Sequence, residues 1–522
     1  MAIEAWFGDV ADRLRKLNLT GRELAILLAV GLVANLYFLS NFSPSIDDEF
    51  AALRGDPGVW LGQGRWTVYL IERFLFPQPA IPYAPYILLT VCQALAYVVV
   101  TRAHSYAVGW KTFACYPIFC AYPAWWFVSE FYSNVPAIGI ALVLVAASAY
   151  LTGQEWQPDD RARQFPLANG VAIVVLLAVA IGAYQSMILL YICMVMGAAM
   201  AHAMRSDTGL PALPGPIARK IIRTFILAAA GVALYAAINH AIRAGTGAFN
   251  AYFDTFRIFD ELHQAPVRLV TSIFKEAVQI YGGKASRFGA SIPFAPVLLI
   301  LSSLAIALVG RARVGPSLLL WAVILITPFA LHFALGSAPI RAMLSLAYVT
   351  WLMGMVLLTG QRTVGVSIGT FVVLVYTLQI LGLSSQYMAS ATISQAHDRM
   401  VAADIYRRIG ELTADFDRNE PVEVDIYGHK DFSTIYASGW SSAMQGSFFA
   451  WDQGDLPRML VYMRLMGYQP LPLISKSEQR KMTPLFLEMP VWPAAGCVRK
   501  VGNRYLVRLS RDPDPAHAGT PP

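Results

Sequence analysis

Apolar runs close to the roughly 20 residues that cross a bilayer recur along this chain, beginning near residues 23, 85, 111, 135, 167, 186, 222, 292, 317, 340 and 364. Runs of that length leave no polar face for a soluble surface, so they predict a mostly α-helical polytopic membrane protein with about eleven transmembrane helices. Only Ala183-Tyr184-Gln185-Ser186 separates the fifth run from the sixth. Read as one tight hairpin, these two make the count odd and put the ends of the chain on opposite sides of the membrane. Composition agrees: 56% of residues are hydrophobic and 14% charged, against roughly 25% charged in an average soluble domain. The formal charge of +7 is spread over short loops and forms no nucleic-acid-binding patch.

The short-loop cations set orientation. Arg13, Arg15, Lys16 and Arg22 precede the first run, Arg102 and Lys111 follow the second, and Arg161 and Arg163 the fourth. Arg205, Arg219, Lys220 and Arg223 follow the sixth, Arg311 and Arg313 the eighth, and Arg362 the tenth. All fall on one side, the cytoplasm, while the alternate loops near Phe131, Tyr184 and Gly336 are nearly free of cations. Residues 1–22 read as a cytoplasmic amphipathic segment before an uncleaved first span, and residues 23–384 as the transmembrane domain. Its outward loops cover residues 42–83 and 245–290. Each carries apolar residues at helical spacing, as expected of helices lying in the interface; Val59 to Phe76 is the clearest stretch, and Tyr252, Phe253 and Phe256 alternate with Asp254 and Arg257 in the second loop.

Residues 385–512 predict a small outward α/β domain: a helix over Ile393–Phe416, a strand over Pro421–Gly428, a helix over Pro457–Met466 and a hairpin over Cys497–Val507 about Gly502-Asn503. Residues 513–522, rich in Pro, Ala and Gly, read as a disordered tail. The five cysteines imply neither a disulfide framework nor a zinc site. No internal repeat is visible, which weighs against many transporter architectures.

Chemistry concentrates at the outward face. Asp47, Asp48 and Glu49 directly follow the first span, where charge is costly and functional by default; the structural alternative is the capped start of a surface helix. Asp47 and Asp48 are candidate general bases, able to take a proton from an attacking hydroxyl. A divalent metal is possible there but not favoured, because no histidine is nearby and oxygen ligands are few. Arg65, in Gly64-Arg65-Trp66, is a candidate phosphate ligand with a planar fork suited to phosphate; the alternative is an arginine snorkelling to headgroups between interfacial tryptophans. Arg341 is a lone outward cation, suited to an anion. Lys284 and Arg287 fit either a lipid phosphate or ordinary headgroups. Tyr184 and Gln185 could hydrogen-bond a sugar or join helices, with Glu49 and Trp66 in the same role or as loop residues. His332 reads as a satisfied core histidine or a site residue. No glycine-rich nucleotide loop follows a strand.

Taken in order, Ile46-Asp47-Asp48 after the first span, Gly64-Arg65-Trp66, Ala183-Tyr184-Gln185-Ser186 and the outward Arg341 resemble the bacterial polytopic O-antigen glucosyltransferases, the serotype-converting Gtr type II family. The resemblance covers most of the membrane region and fades in the tail. It implies a GT-C-like fold in the bacterial inner membrane and an inverting transfer of a sugar, typically glucose, from a polyprenyl-phosphate donor to a surface glycan hydroxyl in the periplasm. It also implies Asp47 or Asp48 as base and Arg65 and Arg341 on the leaving phosphate; the residues themselves point to no cofactor. The competing readings are an O-antigen polymerase or ligase, and a flippase or transporter of lipid-linked sugars.

Overall fold

The computed structural model describes residues 19–77, 82–153, 165–205, 216–249, 259–308, 311–360, 363–413, 421–440, 442–468 and 471–518. The predicted amphipathic segment before residue 19, and Tyr252, Phe253, Asp254, Phe256 and Arg257 of the second loop, lie outside these residues. The chain is mostly helical with a small sheet near its C-terminus. Among the described residues, six helices are long and apolar enough to cross a membrane: Ala84–Ala103, Val135–Gly153, Met187–Arg205, Arg219–Thr246, Val314–Leu335 and Thr363–Glu411. Leu167–Ala183, Phe294–Ala307 and Ser345–Leu358 are shorter apolar helices.

Local chemistry interrupts other apolar runs. Gly21–Ala34 stops at Asn35, whose side-chain amide donates to the carbonyl of Gly31 at 3.0 Å, to Thr90 Oγ1 at 3.2 Å and to Gln93 Oε1 at 3.1 Å. Trp110–Ala121 ends before Pro123, which has no N–H to continue the ladder and opens the next short helix, Pro123–Ser129.

Two compact units emerge. The first takes in residues 19–41, 56–77 and 82–384. Here Val135–Gly153 packs on Ala84–Ala103 and Leu167–Ala183, and Met187–Arg205 on Arg311–Ile326 and Ser345–Leu358. Two of its buried polar contacts link distant helices: His104 Nε2 lies 2.7 Å from Tyr348 Oη, and Trp351 Nε1 donates to Tyr97 Oη at 3.0 Å. The predicted interfacial helix Val59–Phe76 is instead two pieces, Val59–Gly62 and Trp66–Phe74. Gly64 adopts φ +70° at the break, a conformation open to glycine and strained for other residues.

The second unit is discontinuous in sequence, joining residues 42–55 to the chain from residue 385. The helix predicted over Ile393–Phe416 is not separate: it continues the last apolar run without a break as Thr363–Glu411. Strands β1 (Glu423–Tyr427), β2 (Val498–Val501) and β3 (Arg504–Arg508) form a sheet of order β1-β3-β2. β1 runs parallel to β3, with Ile426 opposite Val507, and β2 runs antiparallel to β3 about Gly502 at φ +62°. Tyr427, Phe486, Met489 and Leu506 fill its core. Helix Lys476–Leu487, which has a reciprocal cap between Ser475 and Glu478, covers the sheet. Of the tail expected to be disordered from residue 513, residues 513–518 are ordered, and residues 519–522 lie outside the described residues. Asp514 and His517 are buried, with His517 Nδ1 2.6 Å from Asp514 Oδ2, because the imidazole packs between Tyr427 and Phe486.

Candidate functional site

The first unit builds a guanidinium cluster around the broken interfacial helix. Tyr235 Oη donates to the carbonyl of Gly64 at 3.0 Å, and a Cβ at Gly64 would lie 2.6 Å from that hydroxyl. Fixed there, the chain delivers Arg65 to the start of Trp66–Phe74, with its guanidinium 5.7 Å from the Trp60 ring centroid and 5.2 Å from that of Tyr184. Trp60 is itself held, its Nε1 donating to Glu72 Oε2 at 2.6 Å. Gln185 Nε2 donates to the carbonyl of Gln63 at 3.1 Å. Thr67 Oγ1 donates to the carbonyl of Val179 at 2.8 Å, and Gly182 lets Trp66 approach so closely that a Cβ would meet its ring at 2.5 Å. The sequence candidates Arg65, Trp66, Tyr184 and Gln185 are thereby brought together.

Arg341 lies on the turn Ile340–Ala342, its guanidinium 5.5 Å from the Phe131 ring. Burial pushes the Arg65 guanidinium below its ordinary range; Tyr184 opposes this, and the positive charge of Arg341 lowers it further. Arg65 Nε is buried without a hydrogen-bond partner. Two guanidiniums near enough to repel, both against aromatic rings, form a setting that an anion would relieve.

A second constellation in this unit gathers two more candidates around a residue the sequence did not single out. Glu276 Oε2 is 2.8 Å from His332 Nε2, and its Oε1 is 3.5 Å from Arg287 Nη1. Arg287 Nε also donates to Gln279 Oε1 at 2.9 Å, and His332 Nδ1 is 3.2 Å from the carbonyl of Phe329. Both ring nitrogens of His332 are thus occupied. Lys284 is exposed, at the N-cap of the short helix Ala285–Phe288. Glu276 occupies a buried position on Pro266–Tyr281, an amphipathic helix whose apolar stripe it interrupts; that break in pattern was the available signal.

The acidic stretch belongs to the second unit, and its three carboxylates differ. Asp47 adopts φ +86° ahead of helix Asp48–Leu53, and its side chain is 64% exposed. Asp48 is buried, with Oδ2 accepting from Ser45 N at 3.1 Å and Ser45 Oγ at 2.9 Å. Glu49 is wholly buried. Arg458, from helix Leu456–Leu465, donates to Glu49 Oε1 at 2.5 Å, Asp47 Oδ1 at 2.9 Å and Asp452 Oδ2 at 3.1 Å. Burial raises the Glu49 carboxyl to about 7 even though Arg458 pulls the other way, and Glu49 Oε2 has no hydrogen-bond partner. Arg458 was missed in the sequence. Its faint signal is a cation in the first turn of a helix, where the backbone dipole disfavours one, just after Asp452 and Asp455.

No curated protein and no solved structure matches the chain. Residues 36–358 match the model of the family described as glucosyl transferase GtrII. That span includes every candidate named from the sequence and leaves out Arg458 and the tail. With the matched region covering more than half of the sequence, and with its acidic, Arg65 and Arg341 segments all inside it, the chain belongs to the GtrII glucosyl transferase family.

Proposed function

We propose that the protein is an inverting, GT-C-like glucosyltransferase of the bacterial inner membrane, moving glucose from a polyprenyl-phosphate donor to a surface glycan hydroxyl in the periplasm. Family membership supports glucosyl transfer. The observation that carries the donor assignment is the pair of mutually repelling guanidiniums, Arg65 and Arg341, with Arg65 Nε left unpartnered. The alternation of loop cations supports eleven spans, a cytoplasmic N-terminus and outward-facing large loops and tail.

In this reading Asp47, the exposed carboxylate, takes the proton of the acceptor hydroxyl as its oxygen attacks the anomeric carbon. The bond from that carbon to the phosphate oxygen breaks on the opposite face, and the polyprenyl phosphate leaves with the electron pair. Arg65 and Arg341 stabilise its charge. Asp48, fastened to Ser45, orients its neighbour. Tyr184, Gln185 and Trp66 shape the sugar side, Lys284 and Arg287 contact lipid phosphate, and the scheme uses no metal.

The test is donor consumption by the purified protein in nanodiscs supplied with polyprenyl-phosphate glucose. Arg65→Ala and Arg341→Ala are expected to slow it on the order of 100-fold with little change in thermal stability, and Asp47→Asn to stop transfer while donor binding persists. Wild-type consumption in both arginine variants would overturn the phosphate assignment.

A further inference from the structure

Asp47 stands at the N-cap of helix Asp48–Leu53, where an aspartate ordinarily turns its carboxylate onto the backbone N–H groups of the first turn. Here it makes no such hydrogen bond. The carboxylate is turned instead onto Arg458, whose Nη2 donates to Oδ1 at 2.9 Å. The same guanidinium holds Glu49 through Nη1 and Asp452 through Nε, with Asp455 Oδ2 3.9 Å from Nε. Its side chain is only 13% exposed, and the group lies 5.4 Å from the Phe50 ring centroid. A planar fork with all three nitrogens engaged cannot rotate, so it fixes the direction of the carboxylates it holds.

The backbone on both sides is bent to reach this arrangement. Among the described residues, six that are not glycine have positive φ. Three of them, Asp47 at 86°, Asp452 at 52° and Gln453 at 60°, stand in the two segments that Arg458 joins. Such conformations are uncommon for residues with a Cβ and concentrate where function demands a set geometry. The acidic segment is also tethered without the guanidinium. Gln395 Nε2 donates to the carbonyl of Pro44 at 2.8 Å, Ile46 N donates to that of Ala443 at 3.2 Å, and helix Leu456–Leu465 packs on Asp48–Leu53. What Arg458 adds to these attachments is the direction of the Asp47 side chain.

We propose that Arg458 is a positioning residue for the transfer reaction: it holds Oδ1 of Asp47 and leaves the second oxygen, on a side chain 64% exposed, to take the proton of the acceptor hydroxyl. The inference rests on the reading of Asp47 as general base. Arg458 lies beyond the matched residues 36–358, so the C-terminal unit supplies a part of this machinery. The competing role is a plain counter-charge for buried Glu49. That role leaves the hold on Asp47 unexplained, because an exposed carboxylate is solvated without a partner.

The full chain in phospholipid nanodiscs, supplied with polyprenyl-phosphate glucose, gives kcat and the donor KM, counted per folded molecule. Arg458→Gln is expected to lower kcat on the order of 10- to 100-fold with the donor KM unchanged. It should also lower the melting temperature, by leaving Glu49 buried without its cation. Glu49→Gln combined with Arg458→Gln removes both charges and separates the two roles: the melting temperature is expected to return towards wild type while kcat stays low. Recovery of kcat together with the melting temperature would reduce Arg458 to a counter-charge and overturn the proposal, as would a raised donor KM at unchanged kcat. Asp47→Asn tells this failure from that of the base itself. If Asp47→Asn halts transfer while Arg458→Gln runs at the wild-type kcat, the positioning role alone is lost; a wild-type kcat in Asp47→Asn removes the base and the positioning role together.

Discussion

Glu49 illustrates how differently three adjacent acids can be used. Its folded carboxyl titrates at about 7, above its ordinary value of 4.5, because burial outweighs Arg458. The protonated form is thus favoured by folding: the stabilisation is full below about 4.5 and is lost as pH rises through about 7. Glu49→Gln should flatten the dependence of melting temperature on pH between 5 and 8; a slope equal to wild type would show that another group titrates there. The residues most readable from sequence were those whose role is local. Gly64-Arg65-Trp66 carries its own turn, and Tyr184-Gln185 its own interruption of an apolar run. Glu276 and Arg458 were not readable, because each acquires its meaning from partners distant in sequence: His332 is 56 residues from Glu276, and Glu49 is 409 residues from Arg458.

At the scale of elements, the Arg65 cluster depends on how closely Trp66–Phe74 meets Leu167–Ala183. Gly182 sets that approach, since any Cβ would collide with Trp66 and Thr67. Gly182→Val is expected to cost roughly 1–3 kcal/mol as overpacking and to weaken donor use by displacing Trp66 and its neighbour. A variant with unchanged melting temperature and donor affinity would show that the two helices can part without consequence. Apolar periodicity located the helices, yet it misplaced their ends. It could not see that Asn35 would turn its amide onto Gly31, that Gly64 would split an interfacial helix, or that the last span would continue past Ser384 as Thr363–Glu411. Each of these is decided by one side chain or by tertiary packing, which a hydropathy pattern does not register.

For the molecule as a whole, the sheet of the second unit is stapled by its last described residues. Burial alone would depress His517, but its hydrogen bond to Asp514 and the negative charge of Asp425, 3.7 Å from Nε2, overcome it and raise the imidazolium to about 9. That stabilisation is complete below about 6.5 and is lost as pH rises through about 9. His517→Ala, which strands two buried carboxylates, should destabilise this unit by roughly 3–5 kcal/mol at neutral pH; an unaltered unfolding midpoint would rule the staple out. The discontinuity of the same unit has a consequence for biogenesis. Glu49 and Arg458 stand 409 residues apart, so at roughly 5–20 residues per second of synthesis the acidic segment spends about 20–80 s without its cation. A nascent polypeptide in that interval holds its carboxylates uncompensated, and synthesis must pass residue 458 before they are neutralised.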